Sequence, residues 1–290
     1  MSRPPLGKYL ELTKPRITCF ILMSTAIGFL CAEHLVGSFS WLVLLHTLLG
    51  TALIASGTAA LNQWYEHEAD GKMRRTQKRP IPSGRVTPAH AFEFGAALSI
   101  AGFVELWLGA NLLTGLLGLF TLGTYLFLYT PLKQMSPHST TVGAIPGAMP
   151  PLIGYAAASG VLNWEAGVLY AILFLWQFPH FYAIAWIYRD DYAKAGIRML
   201  PVLEPSNEST ARRIVWFSAV LIPISLLPKY FDMVGYYYVC GAVAVGLYFL
   251  YAGLRASFDR TVPRARQVLL ASVVYLPVLY GLLVFDGNRY

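Results

Sequence analysis

The residues best placed to do chemistry lie in one short stretch, Asn62-Gln-Trp-Tyr-Glu66-His-Glu-Ala-Asp70-Gly-Lys72-Met-Arg-Arg75. Asn62, Glu66 and Asp70 recur at i, i+4 and i+8, so a helix sets them in one stripe, about 12 Å long at the α-helical rise. Lys72, Arg74 and Arg75 follow at once, and Arg79 and Arg85 lie soon after. Hard oxygen donors beside cations suit a Mg²⁺-diphosphate. The metal takes oxygen ligands and keeps some water, and the remaining phosphate charge draws Lys and Arg. Carboxylates near the C-terminal end of a helix oppose its dipole and need a compensating cation, metal or protein. The competing reading is a helix end with ordinary interfacial carboxylates. Asp70-Gly71 has the form of such a stop, Gly71 suiting a left-handed cap.

A second acidic stretch reads Tyr188-Arg189-Asp190-Asp191-Tyr192-Ala-Lys194-Ala-Gly196. Asp190 and Asp191 are both candidate metal ligands. Adjacent side chains point about 100° apart on a helix, so one of them, Asp191 by preference, faces a site. Taken alone, the pair would read as a solvated face. Lys72, Arg75, Arg79, Lys133, Arg189 and Lys194 are candidate diphosphate contacts, although membrane topology makes its own demand on these cations. His180 sits in Trp176-Gln177-Phe-Pro179-His180-Phe181, where Pro179 should loosen the helix; a hydrogen-bonded packing histidine is the alternative. His46 and His138 offer no evident partner, and Glu93 and Glu105 read as snorkelling residues. Cys19, Cys31 and Cys240 lack metal-ligand spacing and read as small apolar fillers.

The elements that must carry these groups are membrane helices. Of 290 residues, 56% are hydrophobic and 13% charged, with mean hydropathy +0.51; soluble proteins carry roughly 25% charged residues. The apolar runs have helical length and lack the short alternating segments of a β-barrel. Nine spans are expected, over 17–35, 41–65, 89–110, 112–129, 141–159, 164–187, 214–227, 235–254 and 267–284. With the N-terminus in the cytoplasm, all but Lys229 and Arg289 of the 22 Lys and Arg residues fall on the inner side, a strong positive-inside pattern. The net charge of +7 is then largely topological, and nucleic-acid binding is the weaker reading of it, for want of a soluble basic domain. Residues 1–16 are too short and mixed for a transit peptide, so the first span is expected to act as an uncleaved anchor in a bacterial inner membrane. Loops 66–88 and 188–213 follow spans two and six, which hints at a four-helix repeat. Gly143, Pro146, Gly147, Pro150, Pro151 and Gly154 should kink or break the fifth span, as a cavity wall or a packing bend. The chain reads as one domain over 1–290.

Several motifs carry a family resemblance. They are Leu12-Thr-Lys-Pro-Arg-Ile17; Asn62 to Asp70 with Met73, Arg75-Thr76 and Arg79-Pro80; Tyr129-Thr130 with Leu132-Lys133; Gly147 to Gly154; Trp176 to Phe181; Asp191-Tyr192; Met199-Leu-Pro201; and Arg212-Arg213. Together they resemble the UbiA superfamily of intramembrane prenyltransferases, and within it the branch that prenylates haem. The resemblance implies an all-α bundle around a central cavity and a Mg²⁺-dependent reaction on the cytoplasmic side. A farnesyl group would pass from farnesyl diphosphate to a vinyl group of haem B, with water addition, giving haem O and diphosphate. It further implies haem contacts at His180, Trp176 and Gln177, and a haem A synthase or oxidase-assembly partner. Three positions depart from the pattern: Glu66 stands where many relatives have Asp, His138 where Asn is expected, and Lys194 near the place of a second carboxylate. A quinone-precursor or chlorophyll-type acceptor, a secondary transporter of an anionic substrate, and a non-catalytic haem-binding factor are the competing functions. The transporter expects charges at the bilayer midplane, whereas these cluster at one face.

Overall fold

The computed structural model describes residues 6–35 and 39–287; Arg3 and Arg289, which entered the charge count, lie outside them. Every regular element among the described residues is helical. A short α1 (Leu6–Leu12) precedes α2 (Pro15–Ala32), α3 (Trp41–Lys72), α4 (Pro88–Gly109) and α5 (Leu112–Gly123). One π-helical turn, Thr124–Tyr129, joins α5 to α6 (Thr130–Met135). Then come α7 (Ser139–Gly147), α8 (Met149–Ser159), α9 (Trp164–Ile187), α10 (Arg189–Lys194), α11 (Leu200–Leu203), α12 (Glu208–Tyr230), α13 (Tyr236–Phe258) and α14 (Val262–Gly287). Side-chain caps start four of the long helices: Ser40, Thr87, Asn111 and Asn163 each accept from the N–H three residues on, filling donors that the first turn leaves open.

Eight of these helices, with α5, the π turn and α6 taken as one, are long and apolar enough to cross a membrane. The protein is a multi-pass membrane protein. The segment expected as a further span, 141–159, is two half-length helices, α7 and α8, that meet at Ala148. Pro150 and Pro151 fall in the first turn of α8, where a missing N–H costs nothing. Irregular backbone at this depth must be enclosed by protein, and Pro146, Ala148, Met149, Pro150 and Pro151 are all buried. The enclosure is tight. A Cβ on Gly154 would stand 1.8 Å from the Thr25 carbonyl oxygen, and one on Gly28 would stand 2.0 Å from that of Pro151, so α2 and α8 meet backbone to backbone through small residues.

Four local expectations change. Helix α3 continues through Gly71, which is not left-handed, to Lys72. The following loop folds back and supplies the missing partners: the Met73 N–H and the Thr76 hydroxyl both donate to the Asp70 carbonyl, at 3.3 and 2.8 Å. Helix α9 runs unbroken through a buried Pro179. Helix α12 spans 23 residues, longer than expected, and takes in Arg212 and Arg213. His46 does have a partner, because its Nδ1 lies 2.7 Å from Glu105 Oε1 across the α3–α4 seam.

The α2–α8 contact predicts that Gly154→Val, with no room for its Cβ, destabilises the protein by about 1–3 kcal/mol or more. Thermal unfolding in detergent should show a clear fall for Gly154→Val and none for Gly7→Ala, whose Cβ would meet open space.

Candidate active site

The last three turns of α3 carry the acidic stripe, and each member has a cation beside it. Lys14 Nζ donates to Asn62 Oδ1 at 3.3 Å. Lys133 Nζ, on α6, reaches Glu66 Oε1 at 2.8 Å. Arg79 Nη1, in the loop after α3, reaches Asp70 Oδ2 at 2.6 Å, with the Asp70 side chain only 1% exposed. Asn62 is also buried, and its Nδ2 donates to the Thr130 hydroxyl at 3.3 Å. Such pairs are strong because water is scarce around them; each partner compensates a charge that would otherwise be costly to enclose.

The backbone is bent to bring these cations in. Lys14, just before Pro15, adopts φ 48° and ψ 59°, a left-handed conformation rare for a side-chain-bearing residue. Such strain costs of order 1–3 kcal/mol and persists where the surroundings over-determine it. Burial pulls the Lys14 ammonium down to about 7, with Arg79 adding to the fall and Glu66 opposing it. The π turn does similar work at Lys133. It presents Tyr125 and Tyr129 to the ammonium, with ring centroids 5.9 and 4.4 Å away, and single π turns favour functional sites.

The second loop closes over the first. Arg75 donates to the Tyr192 hydroxyl at 3.1 Å and stacks on the rings of Tyr188 and Tyr192 at 4.9 and 5.4 Å. Ala69 and Met73 pack with Tyr192, Ala195, Ile197 and Met199. The Arg198 N–H donates to the Lys133 carbonyl at 2.8 Å. Of the aspartate pair, Asp190 stands in solvent, 90% exposed and 3.6 Å from Arg189. Asp191 is half-buried and has no side-chain hydrogen bond or ion pair among the described residues. Arg189 turns to the Pro205 carbonyl, away from the stripe, and Lys72 and Lys194 are exposed.

Beneath this polar head lies an apolar cavity of about 150 Å³. Lys14 and Tyr125 stand at its polar end; Thr58, Ile54, Thr51, Leu106, Thr121 and Gly147 line it deeper. Along α3, Asn62 and Thr51 are about 16 Å apart by helix rise. On α9, His180 is half-buried, 2.8 Å through Nδ1 from the Ser272 hydroxyl, and stacked on Trp176 at 4.6 Å. Gln177 is a joint between helices. It is buried, donates to the Ala144 and Leu173 carbonyls, and fills the space a Cβ on Gly147 would need.

The sequence profile of the UbiA prenyltransferase family matches residues 21–281. The chain belongs to the UbiA prenyltransferase family. It is 60% identical over 96% of its length to a protoheme IX farnesyltransferase of Solibacter usitatus, covering 98% of that relative. It is 46% identical over 97% of its length to another from Koribacter versatilis, covering 93%. Among solved structures it resembles a digeranylgeranylglyceryl phosphate synthase, with TM-score 0.82 and 18% identity, covering 98% of this chain and 99% of that one. It also resembles a UbiA homologue from Archaeoglobus fulgidus bound to GPP and Mg²⁺, with TM-score 0.63 and 15% identity, covering 96% and 99%. At these identities the likeness concerns the fold.

In this UbiA prenyltransferase, several site groups carried no signal strong enough to single out from sequence: Lys14, Tyr125, Thr130, Tyr192 and Ser272. Lys14 precedes a proline, and Tyr129-Thr130 lies in a quoted motif, but neither pattern reveals a side chain's direction. The geometry predicts that Lys133→Met strands Glu66 and costs about 3–5 kcal/mol of stability, with loss of turnover. Adding Glu66→Gln should restore most of the thermal stability and none of the turnover. Equal melting of all three proteins would show that the pair is not a buried ion pair.

Proposed function

We propose that the protein transfers a farnesyl group from farnesyl diphosphate to a vinyl carbon of haem B, with addition of water, giving haem O and diphosphate. The observation that carries this reading is a buried ladder of two acid–cation pairs and one amide–cation pair at the mouth of an apolar cavity. The ladder suits a diphosphate head, and the cavity suits an isoprenoid tail. A relative 60% identical to the chain carries the corresponding name. The single domain 1–290 sits in the bacterial inner membrane with this site on the cytoplasmic face. That reading rests on the Lys and Arg distribution.

The donor set fits Mg²⁺. Among the described residues no three His, Cys, Asp or Glu side chains form a preformed cage, and Mg²⁺ binds through one or two carboxylates together with substrate phosphates. Glu66, Asp70, Asn62 and Asp191 would hold it. When bound, it draws charge from the diphosphate oxygens as a Lewis acid.

The chain's own residues do the rest. Lys14, Arg79, Lys133 and Arg75 bind the diphosphate and stabilise the charge that grows as the allylic C–O bond breaks, its electron pair leaving with the diphosphate. The rings of Tyr125 and Tyr129 face a cation already and would face the allylic one. The vinyl π pair forms the new C–C bond. Water adds to the porphyrin-stabilised cation and loses a proton. His180 and Trp176 would hold the porphyrin so that one vinyl group meets the prenyl cation; Gln177, spent on α7, supports them from behind.

Glu66→Gln and Asp70→Asn should each abolish haem O formation, read by mass spectrometry of extracted haem, and chelation should abolish it in the wild type. Asp191→Asn should be severe and Asp190→Asn mild; the reverse order would remove Asp191 from the site. Leu106 lines the deep part of the cavity, so Leu106→Ala should raise the use of geranylgeranyl relative to farnesyl diphosphate in competition assays. An unchanged ratio would place the tail elsewhere.

A further inference from the structure

Ser272, on α14, is fully buried and makes two short contacts. Its hydroxyl lies 2.6 Å from the Leu269 carbonyl oxygen and 2.8 Å from His180 Nδ1. A carbonyl can only accept, so the one hydroxyl proton goes to Leu269. The Ser272 oxygen must then accept from His180, which puts the ring proton on Nδ1. The opposite nitrogen, Nε2, is left as a bare lone pair with no hydrogen bond among the described residues. Trp176 completes the clamp. Its Nε1 donates to the Ser272 carbonyl at 2.8 Å, while its ring stacks on the imidazole at 21°. The half-buried ring is thus fixed in tautomer, in tilt and along one edge.

Resting on the proposed haem substrate, we propose that Ser272 is a positioning residue that presents His180 Nε2 as the ligand to the substrate haem iron. Imidazole ligands are ordinarily held this way, the second nitrogen donating to a fixed acceptor that sets the tautomer. A hydroxyl whose proton is already spent is such an acceptor. The clamp lies on α9 and α14 and contains none of the diphosphate groups, so it acts on the acceptor substrate alone.

The test is optical titration of purified protein with haem B and, in parallel, with iron-free protoporphyrin IX. Ser272→Ala should weaken haem B binding by about 10- to 100-fold and alter the Soret band, with protoporphyrin IX affinity unchanged. Ser272→Thr should restore both haem B affinity and spectrum, and in turnover Ser272→Ala should raise KM for haem without changing that for farnesyl diphosphate. His180→Ala should match Ser272→Ala in its iron-specific loss. Wild-type haem affinity and spectrum in Ser272→Ala would overturn the inference, as would equal losses for haem and protoporphyrin IX, which would mark a packing role. Haem O production by the wild type is read separately by mass spectrometry, and its absence would overturn the proposed reaction rather than the clamp.

Discussion

Buried charge at the C-terminal end of α3 is the constraint on which the rest of the site depends. Glu66 and Asp70 lie in the last turns, where the helix dipole already disfavours an anion. Both are largely withdrawn from solvent. Enclosing such groups is costly without partners, and three separate segments supply cations. The Lys14 backbone is left-handed, the loop after α3 folds back to place Arg79 on Asp70, and the π turn leads into α6, whose Lys133 reaches Glu66. These cations do not merely neutralise. With Arg75 nearby, the cluster holds more positive than negative groups, and a dianionic or trianionic head group is what such an excess accommodates.

The second half of the bundle is coupled to this cluster through few but specific contacts. Arg75 between two tyrosines, the apolar patch around Met73 and Tyr192, and the Arg198–Lys133 backbone bond tie the two loops into one cap. The cap leaves Asp191 half-buried, its side chain without a hydrogen bond or ion pair among the described residues, in the same loop that carries Tyr192. Meanwhile α7 and α8, broken at Ala148, form the cavity wall. Their irregular backbone is tolerated because α2 and α9 press on it closely, through Gly28, Gly154 and Gln177.

Much of this was legible in the sequence, for identifiable reasons. Apolar length and charge placement revealed a helical membrane protein, because both are one-dimensional properties. The Asn62–Glu66–Asp70 stripe was legible because helical spacing converts directly into one face. The Gly and Pro content of 142–154 revealed the break in advance. What stayed hidden depends on which way side chains turn in three dimensions. The partner of His46 lies on a different helix, 59 positions away. Arg189 reads as a phosphate contact but binds its own loop. Gln177 sits in the haem-type motif yet is consumed by α7. Lys14 stands out in the sequence only as part of a motif, because a left-handed residue before proline has no sequence signature beyond the pair itself. Gly71 looked like a helix stop, but the loop beyond it satisfies the Asp70 carbonyl and lets the helix run on.

The most direct test of the central claim, that the acid–cation ladder is a Mg²⁺-dependent diphosphate site, is calorimetric titration of the purified protein with farnesyl thiodiphosphate, an analogue that ionises poorly, with Mg²⁺ and again with chelator. The account predicts tight binding with Mg²⁺, at least a tenfold weaker affinity in chelator, and a similar loss for Asp70→Asn with Mg²⁺ present. Equal affinity in all three conditions would contradict it.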